Sequence, residues 1–241
     1  MPQNRRDIQF TARHHALFFS SVAKSVIRGA GEERDGMLIR KAVRKYGRQR
    51  GKRMALRARQ NGHGLTVDNY FAYGEWKVPK NDMDFKLSER NPHARLNVFK
   101  CPWYVVWKEN NLLDYGQYFC REIDAALVRG FNPDLEIQVN STLTHDGKPC
   151  DFIFKNAGIS FFKMLGLIYK KKIRPGKQVR MPWAYHTGHL YKTLGDVIRR
   201  EIGDKADEIM GNALNDFASF FSEQHLEVIK KYQDTDFEQL P

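Results

Sequence analysis

Apolar residues recur at helical spacing over 11–30, where Ala16, Phe19, Val22, Ala23 and Val26 share a face. Gly29, Ala30 and Gly31 break that stretch. A second, longer helix is predicted over 33–60, with a narrow apolar stripe of Leu38, Ala42, Val43 and Tyr46, then Met54 and Ala58. It contains Gly47 and Gly51, each weakening a helix by about 1 kcal/mol relative to alanine, so the pair marks a kink or a close backbone approach. Asn61-Gly62-His63-Gly64 ends it.

The pattern changes in the middle third. Residues 84–89 and 94–100 read as strands separated by the turn-like Arg90-Asn91-Pro92-His93. Pro102 suits the first position of a short helix over 102–110. Residues 114–129 suit an amphipathic helix ending at Gly130. Leu135, Ile137 and Val139 alternate along 135–144 as in a half-buried strand. His145-Asp146-Gly147-Lys148 is a hairpin-turn candidate, and 150–155 is the returning strand with Phe152 and Phe154 on one face. The last third is helical again over 159–170, 183–202 and 205–232, with a break at Arg174-Pro175-Gly176. This order predicts a single α+β domain over 1–241: an antiparallel sheet of about four strands flanked by N- and C-terminal helices, not a parallel βαβ fold.

The net charge of +12 calls for an anionic partner: nucleic acid, a membrane surface or a small acid. Ten Lys and Arg residues and no acid lie between Arg40 and Arg59, and a second cluster spans 170–177. A solvated helix face explains such runs as readily as binding does. No recognised nucleic-acid module appears and aromatics do not interleave the basic run, so nucleic acid is the disfavoured partner. No apolar run reaches membrane-span length and no signal-peptide core opens the chain, so no membrane partner is expected. Three cysteines make no disulfide framework, and a cytoplasmic setting is the simplest expectation. The chain leaves room for a homo-oligomer.

Those cysteines carry the candidate chemistry. Cys101 precedes Pro102 at a predicted helix start, where the macrodipole should lower a thiol pKa and favour a nucleophile or a metal ligand. Cys120 and Asp124 lie one helical turn apart, and Cys150 opens a strand. Convergence of the four would give a reactive thiol pocket or a zinc site, although the spacings match no short zinc signature and inert burial is the competing reading. His186 and His189 share a helix face and are proton-relay candidates. Trp76, Trp103, Tyr104, Trp107, Tyr115, Tyr118, Phe119 and Trp183 are core or the wall of a small-molecule pocket. Walker, Gly-x-Gly-x-x-Gly, His-Glu-x-x-His and Gly-x-Ser-x-Gly motifs are absent.

Several spaced motifs occur together: Cys-Pro-Trp-Tyr from Cys101; Cys120-x-x-Ile123-Asp124-x-Ala126, with Phe119 where a tyrosine is usual; Gly130-Phe131-Asn132-Pro133; and Gly147-x-x-Cys150-x-Phe152. With Tyr46 to Gly51 and Asn69-Tyr70, this order resembles the L-2-amino-thiazoline-4-carboxylic acid hydrolase family over roughly 40–155. The resemblance implies ring-opening hydrolysis of a small cyclic amidine or amide, such as a thiazoline carboxylate or a hydantoin-like ring, and does not settle whether the cysteines bind zinc. A small anionic cyclic substrate then needs a carboxylate clamp, for which Arg48, Arg50 and Arg53 are candidates, with Trp103 and Asn132 as further contacts. Cys101 is the favoured nucleophile, His186 or His189 the favoured proton donor, and Cys101, Cys120, Asp124 and Cys150 the tentative metal set. The competing class is a basic nucleic-acid-binding or ligand-sensing domain with a structural cysteine or zinc site.

Overall fold

In the computed structural model, which describes residues 8–30, 32–172 and 179–241, the first two apolar stripes fold as α1 (Ala12–Ala30) and α2 (Glu32–Gln60). A short helix absent from the sequence reading, α3 (Val67–Ala72), leads into β1 (Asp84–Glu89) and β2 (Ala94–Lys100). Then come α4 (Pro102–Glu109), α5 (Leu113–Phe131), β3 (Ile137–Ser141), α6 (Leu143–Asp146) and β4 (Cys150–Phe154). The C-terminal helices are α7 (Phe161–Lys172), α8 (Trp183–Ile202), α9 (Lys205–Phe220) and α10 (Glu223–Lys230). Gly31 and the expected break at 174–176 lie outside the described residues, as does 173–177 of the second basic cluster.

The four strands form one antiparallel sheet in the order β1-β2-β4-β3. Alternation gives it a buried and a polar face. Cys150, Phe152 and Phe154 are buried with Ala94, Val98 and Val128. On the other face Arg95 donates to both oxygens of Asp151 at 2.8 and 2.6 Å, joined by Asn97 and Asn140.

Gly47 and Gly51 act by close approach, not by kinking, and α2 runs unbroken past both. A Cβ on Gly51 would overlap the Leu127 carbonyl and the Phe131 amide, and one on Gly47 would press on Ala126. Gly130 returns the fit against the Arg48 backbone, so α5 continues through it to Phe131 instead of ending there. The glycines thus bring the backbones of α2 and α5 almost into contact, which sets Arg50 of one helix near Asp124 of the other.

Two other local expectations are corrected. The predicted tight turn at 145–148 is the end of α6: the Thr142 amide donates to Asp146 at 3.1 Å, which winds the chain into a helical turn before Gly147 stops it at φ 64°. The helix expected over 205–232 breaks at Phe221, and Ser222 restarts it with its hydroxyl 2.9 Å from His225.

Candidate active site

Arg50, Arg53 and Arg57 follow one another at helical spacing, so all three leave α2 on the same side, and all three are buried. Glu75, in the segment after α3, receives them. Arg53 donates to both its oxygens at 3.0 and 2.9 Å, Arg50 Nε lies 3.4 Å away, and Arg57 donates as well. Burial alone would raise the Glu75 pKa, but Arg53 and Arg50 outweigh it and hold the carboxyl at about 2. Arg53 is fully engaged, since it also donates to the Phe237 carbonyl at 2.6 Å and faces His189 Nδ1. Arg50 is not. Its guanidinium lies 3.6 Å above the Trp76 ring, and its Nη1 is buried without a partner. A buried donor left unpaired costs about 1–3 kcal/mol, which makes Arg50 the arginine with capacity to hold a ligand.

Opposite Arg50 stand Asp124 and the three thiols. Asp124 projects from α5, where burial raises its pKa to about 6 while Arg50 pulls it down. Cys101 caps α4, Cys120 lies one turn before Asp124, and Cys150 opens β4. The four groups lie close enough to influence one another: Asp124 raises the pKa of all three thiols, and Cys101 acts on both others. The expected lowered thiol pKa at Cys101 is not met. The Trp103 and Tyr104 amides favour its thiolate without closing a capping hydrogen bond, and burial overrides them, pushing the thiol up to about 11. Burial drives Cys150 further, to about 12, although the Leu143 amide donates to its sulfur at 3.4 Å. Cys120 is pushed well up, chiefly by burial, despite the Thr144 hydroxyl. At neutral pH the locus thus holds three thiols and one carboxylate. Among the described residues, no three His, Cys, Asp or Glu side chains are arranged to hold a metal ion.

Aromatic rings close the locus. Trp76, Trp103 and Trp183 pack with ring centroids 4.5 to 6.0 Å apart. Trp103 donates its indole N–H to His15 Nδ1 at 3.0 Å, so His15 Nε2 carries the proton toward the Tyr46 hydroxyl at 2.9 Å. The Trp76 indole N–H is buried without a partner. His186 sits edge-on to Trp76 and Trp183. Its Nε2 faces the Glu75 carbonyl at 3.4 Å, which leaves Nδ1 as a buried, unpartnered lone pair. Burial, aided by Arg50, lowers its pKa to about 3. His186 therefore presents an acceptor at neutral pH, not a proton to give. His189 has both nitrogens engaged, Nε2 with Gln49 at 2.8 Å and Nδ1 with Arg53, and stacks on Phe237. Burial holds it neutral too.

Two expected substrate contacts lie elsewhere. Arg48 is exposed on the opposite side of α2, where it lines an open basic cavity of about 420 Å³ with Lys45, Arg129 and Arg200. Asn132 caps α5, donating to the Leu65 carbonyl at 2.9 Å and accepting from the Asp134 amide. Glu75, Trp76, His15 and Tyr70, which feels the Asp124 charge, complete the locus. Of these, Trp76 is expected from the sequence as core or pocket wall and Tyr70 as part of the family motif, whereas Glu75 carries no such expectation. A signal for Glu75 existed: three arginines on one face of a helix with a core stripe require a buried counter-charge.

A family model described as L-2-amino-thiazoline-4-carboxylic acid hydrolase matches residues 11–154, from the start of α1 to the end of β4. That span holds Arg50, Glu75, Asp124 and all three cysteines, and excludes His186 and His189. No curated protein matches the chain, and no solved structure does.

Proposed function

The chain belongs to the L-2-amino-thiazoline-4-carboxylic acid hydrolase family, and on that premise we propose that it opens a small carboxylate-bearing cyclic amidine, a thiazoline carboxylate or a close ring analogue, by hydrolysis at the carbon between the ring heteroatoms. The observation that carries this reading is the unpartnered Nη1 of buried Arg50 beside Asp124 and the three thiols. Arg50 Nη1 and the Trp76 indole N–H are two free donors for a substrate carboxylate, and the tryptophan faces enclose the ring. His186 Nδ1 accepts a substrate N–H. Glu75 holds Arg50 through its carboxylate and His186 through its carbonyl, and is itself held by Arg53, which also meets His189.

Cys101 is the nucleophile in this reading. It alone starts a helix of two turns, where the Trp103 and Tyr104 amides favour its thiolate. It reacts as a thiol assisted by Asp124, which is ionised at neutral pH. Asp124 takes the Cys101 proton as sulfur bonds to the amidine carbon. The ring C–S bond then breaks and the ring sulfur receives that proton. Water adds to the same carbon, one of its protons going to the amidine nitrogen and the other passing through Asp124 to the Cys101 sulfur, which departs and leaves a carbamoyl group on the opened product.

The test is one set of Cys101→Ser, Cys120→Ser and Cys150→Ser variants, assayed for ring opening across thiazolines, cyclic amidines and hydantoins, with bound zinc and thermal stability read on each. Loss of turnover in Cys101→Ser with an unchanged melting temperature is expected. Full activity in that variant overturns the nucleophile assignment. Equal loss of zinc, stability and activity in all three would replace it with a metal site.

A further inference from the structure

Helix α7 presents a continuous apolar face to solvent. Phe161, Phe162, Leu165, Ile168 and Tyr169 recur at helical spacing and are 64, 81, 49, 44 and 56 % exposed. The helix is anchored from its other side by Leu167, which is buried, and Met164. Lone exposed apolar residues are ordinary, but five on one helix face are not.

Charge identifies the occupant. No acidic residue occurs between Asp151 and Asp196, whereas eight Lys and Arg residues lie between 155 and 180. Lys163, Lys171 and Arg180 are exposed, and Lys171 and Arg180 are close enough to repel each other. Lys170 is drawn inward to Asp68 and Asn69. A second copy docked through α7 would bring two stretches without an acidic residue together. The apolar face also offers on the order of 500 Å², below the roughly 800 Å² per partner of a stable interface. An anionic bilayer answers both features: the apolar side chains enter the headgroup boundary and the cations meet lipid phosphates.

We propose that α7 is a peripheral membrane-binding helix that seats the protein on anionic lipid. No helix among the described residues is long and apolar enough to cross a membrane, so the contact is interfacial. The face is formed by residues outside the candidate active site.

Co-sedimentation of the full chain with mixed phosphatidylcholine–phosphatidylglycerol vesicles tests this, with pure phosphatidylcholine vesicles in parallel. Binding to the anionic vesicles is expected to weaken with added salt and to fall at least about tenfold in Phe162→Asp. Circular dichroism and vesicle-free turnover of the variant should be unchanged. If Phe162→Asp fails to fold, Phe162→Ser is read the same way. Absence of vesicle binding, equal binding by wild type and variant, or a dimer in light scattering that Phe162→Asp dissolves would each overturn the proposal.

Discussion

Glu75→Gln is the sharpest perturbation of this molecule, because one buried carboxylate is the shared ion-pair partner of three buried arginines. The substitution keeps shape and removes charge, and the new amide N–H group faces guanidinium donors. Two routes give its size. A carboxyl held at about 2 instead of 4.5 contributes about 3 kcal/mol of folding stability at neutral pH. Removing one partner of a buried ion pair costs about 3–5 kcal/mol. The sign follows from the depressed folded pKa: this stability is fully present above 4.5 and is lost as pH falls toward 2. Urea denaturation at pH 7 should therefore show Glu75→Gln less stable by about 3–5 kcal/mol, or roughly 10 °C in melting temperature for a chain of this size. Wild type should lose stability between pH 4.5 and 2, and the variant should lack that share of the acid slope. A loss under about 1 kcal/mol at pH 7, with an unchanged acid slope, would refute the account of Glu75 as the counter-charge of this core.

Three further outcomes are expected. Arg50→Lys keeps the charge but loses the planar fork, so the Michaelis constant should rise about tenfold or more while the melting temperature stays within a few degrees; an unchanged constant would remove Arg50 from substrate binding. Asp124 has a raised folded pKa, about 6 against 3.8, so its ionised form costs stability at neutral pH that returns as pH falls through 6 toward 3.8. Asp124→Asn should thus be about 1–3 kcal/mol more stable at pH 7 yet inactive, and the wild-type kcat/KM should rise through pH 6; a less stable or an active variant contradicts this. Gly51→Ala should force α2 from α5 at a cost of about 1–3 kcal/mol in denaturation and lower turnover by displacing Arg50 from Asp124; wild-type stability would show that the close approach yields easily.

Periodicity alone determined much of this protein. The stripes of α1, α2 and α8, Pro102 at the start of α4, and the alternation of Ile137 and Val139 each report a face that must be buried, and burial of one face is what a helix or strand needs to form. Cys101, Cys120, Asp124 and Cys150 were legible as a group because Cys101 and Cys150 stand at element ends and Cys120 and Asp124 lie one turn apart on one helix. Only the tertiary structure decided what those groups are. The sequence places Cys101 at a helix N-terminus, where a thiolate is favoured, but burial among Trp103, Tyr104 and neighbouring thiols reverses the sign. It shows a run of basic residues along α2, but not that Arg50, Arg53 and Arg57 turn inward to Glu75 while Arg48 turns outward to solvent. Glu75 sits between helix and sheet with no periodicity of its own, and its weight comes wholly from side chains distant in sequence. Local patterns encode which face is buried; charge state and free hydrogen-bonding capacity depend on what else is buried there, and that is settled when the chain closes on itself.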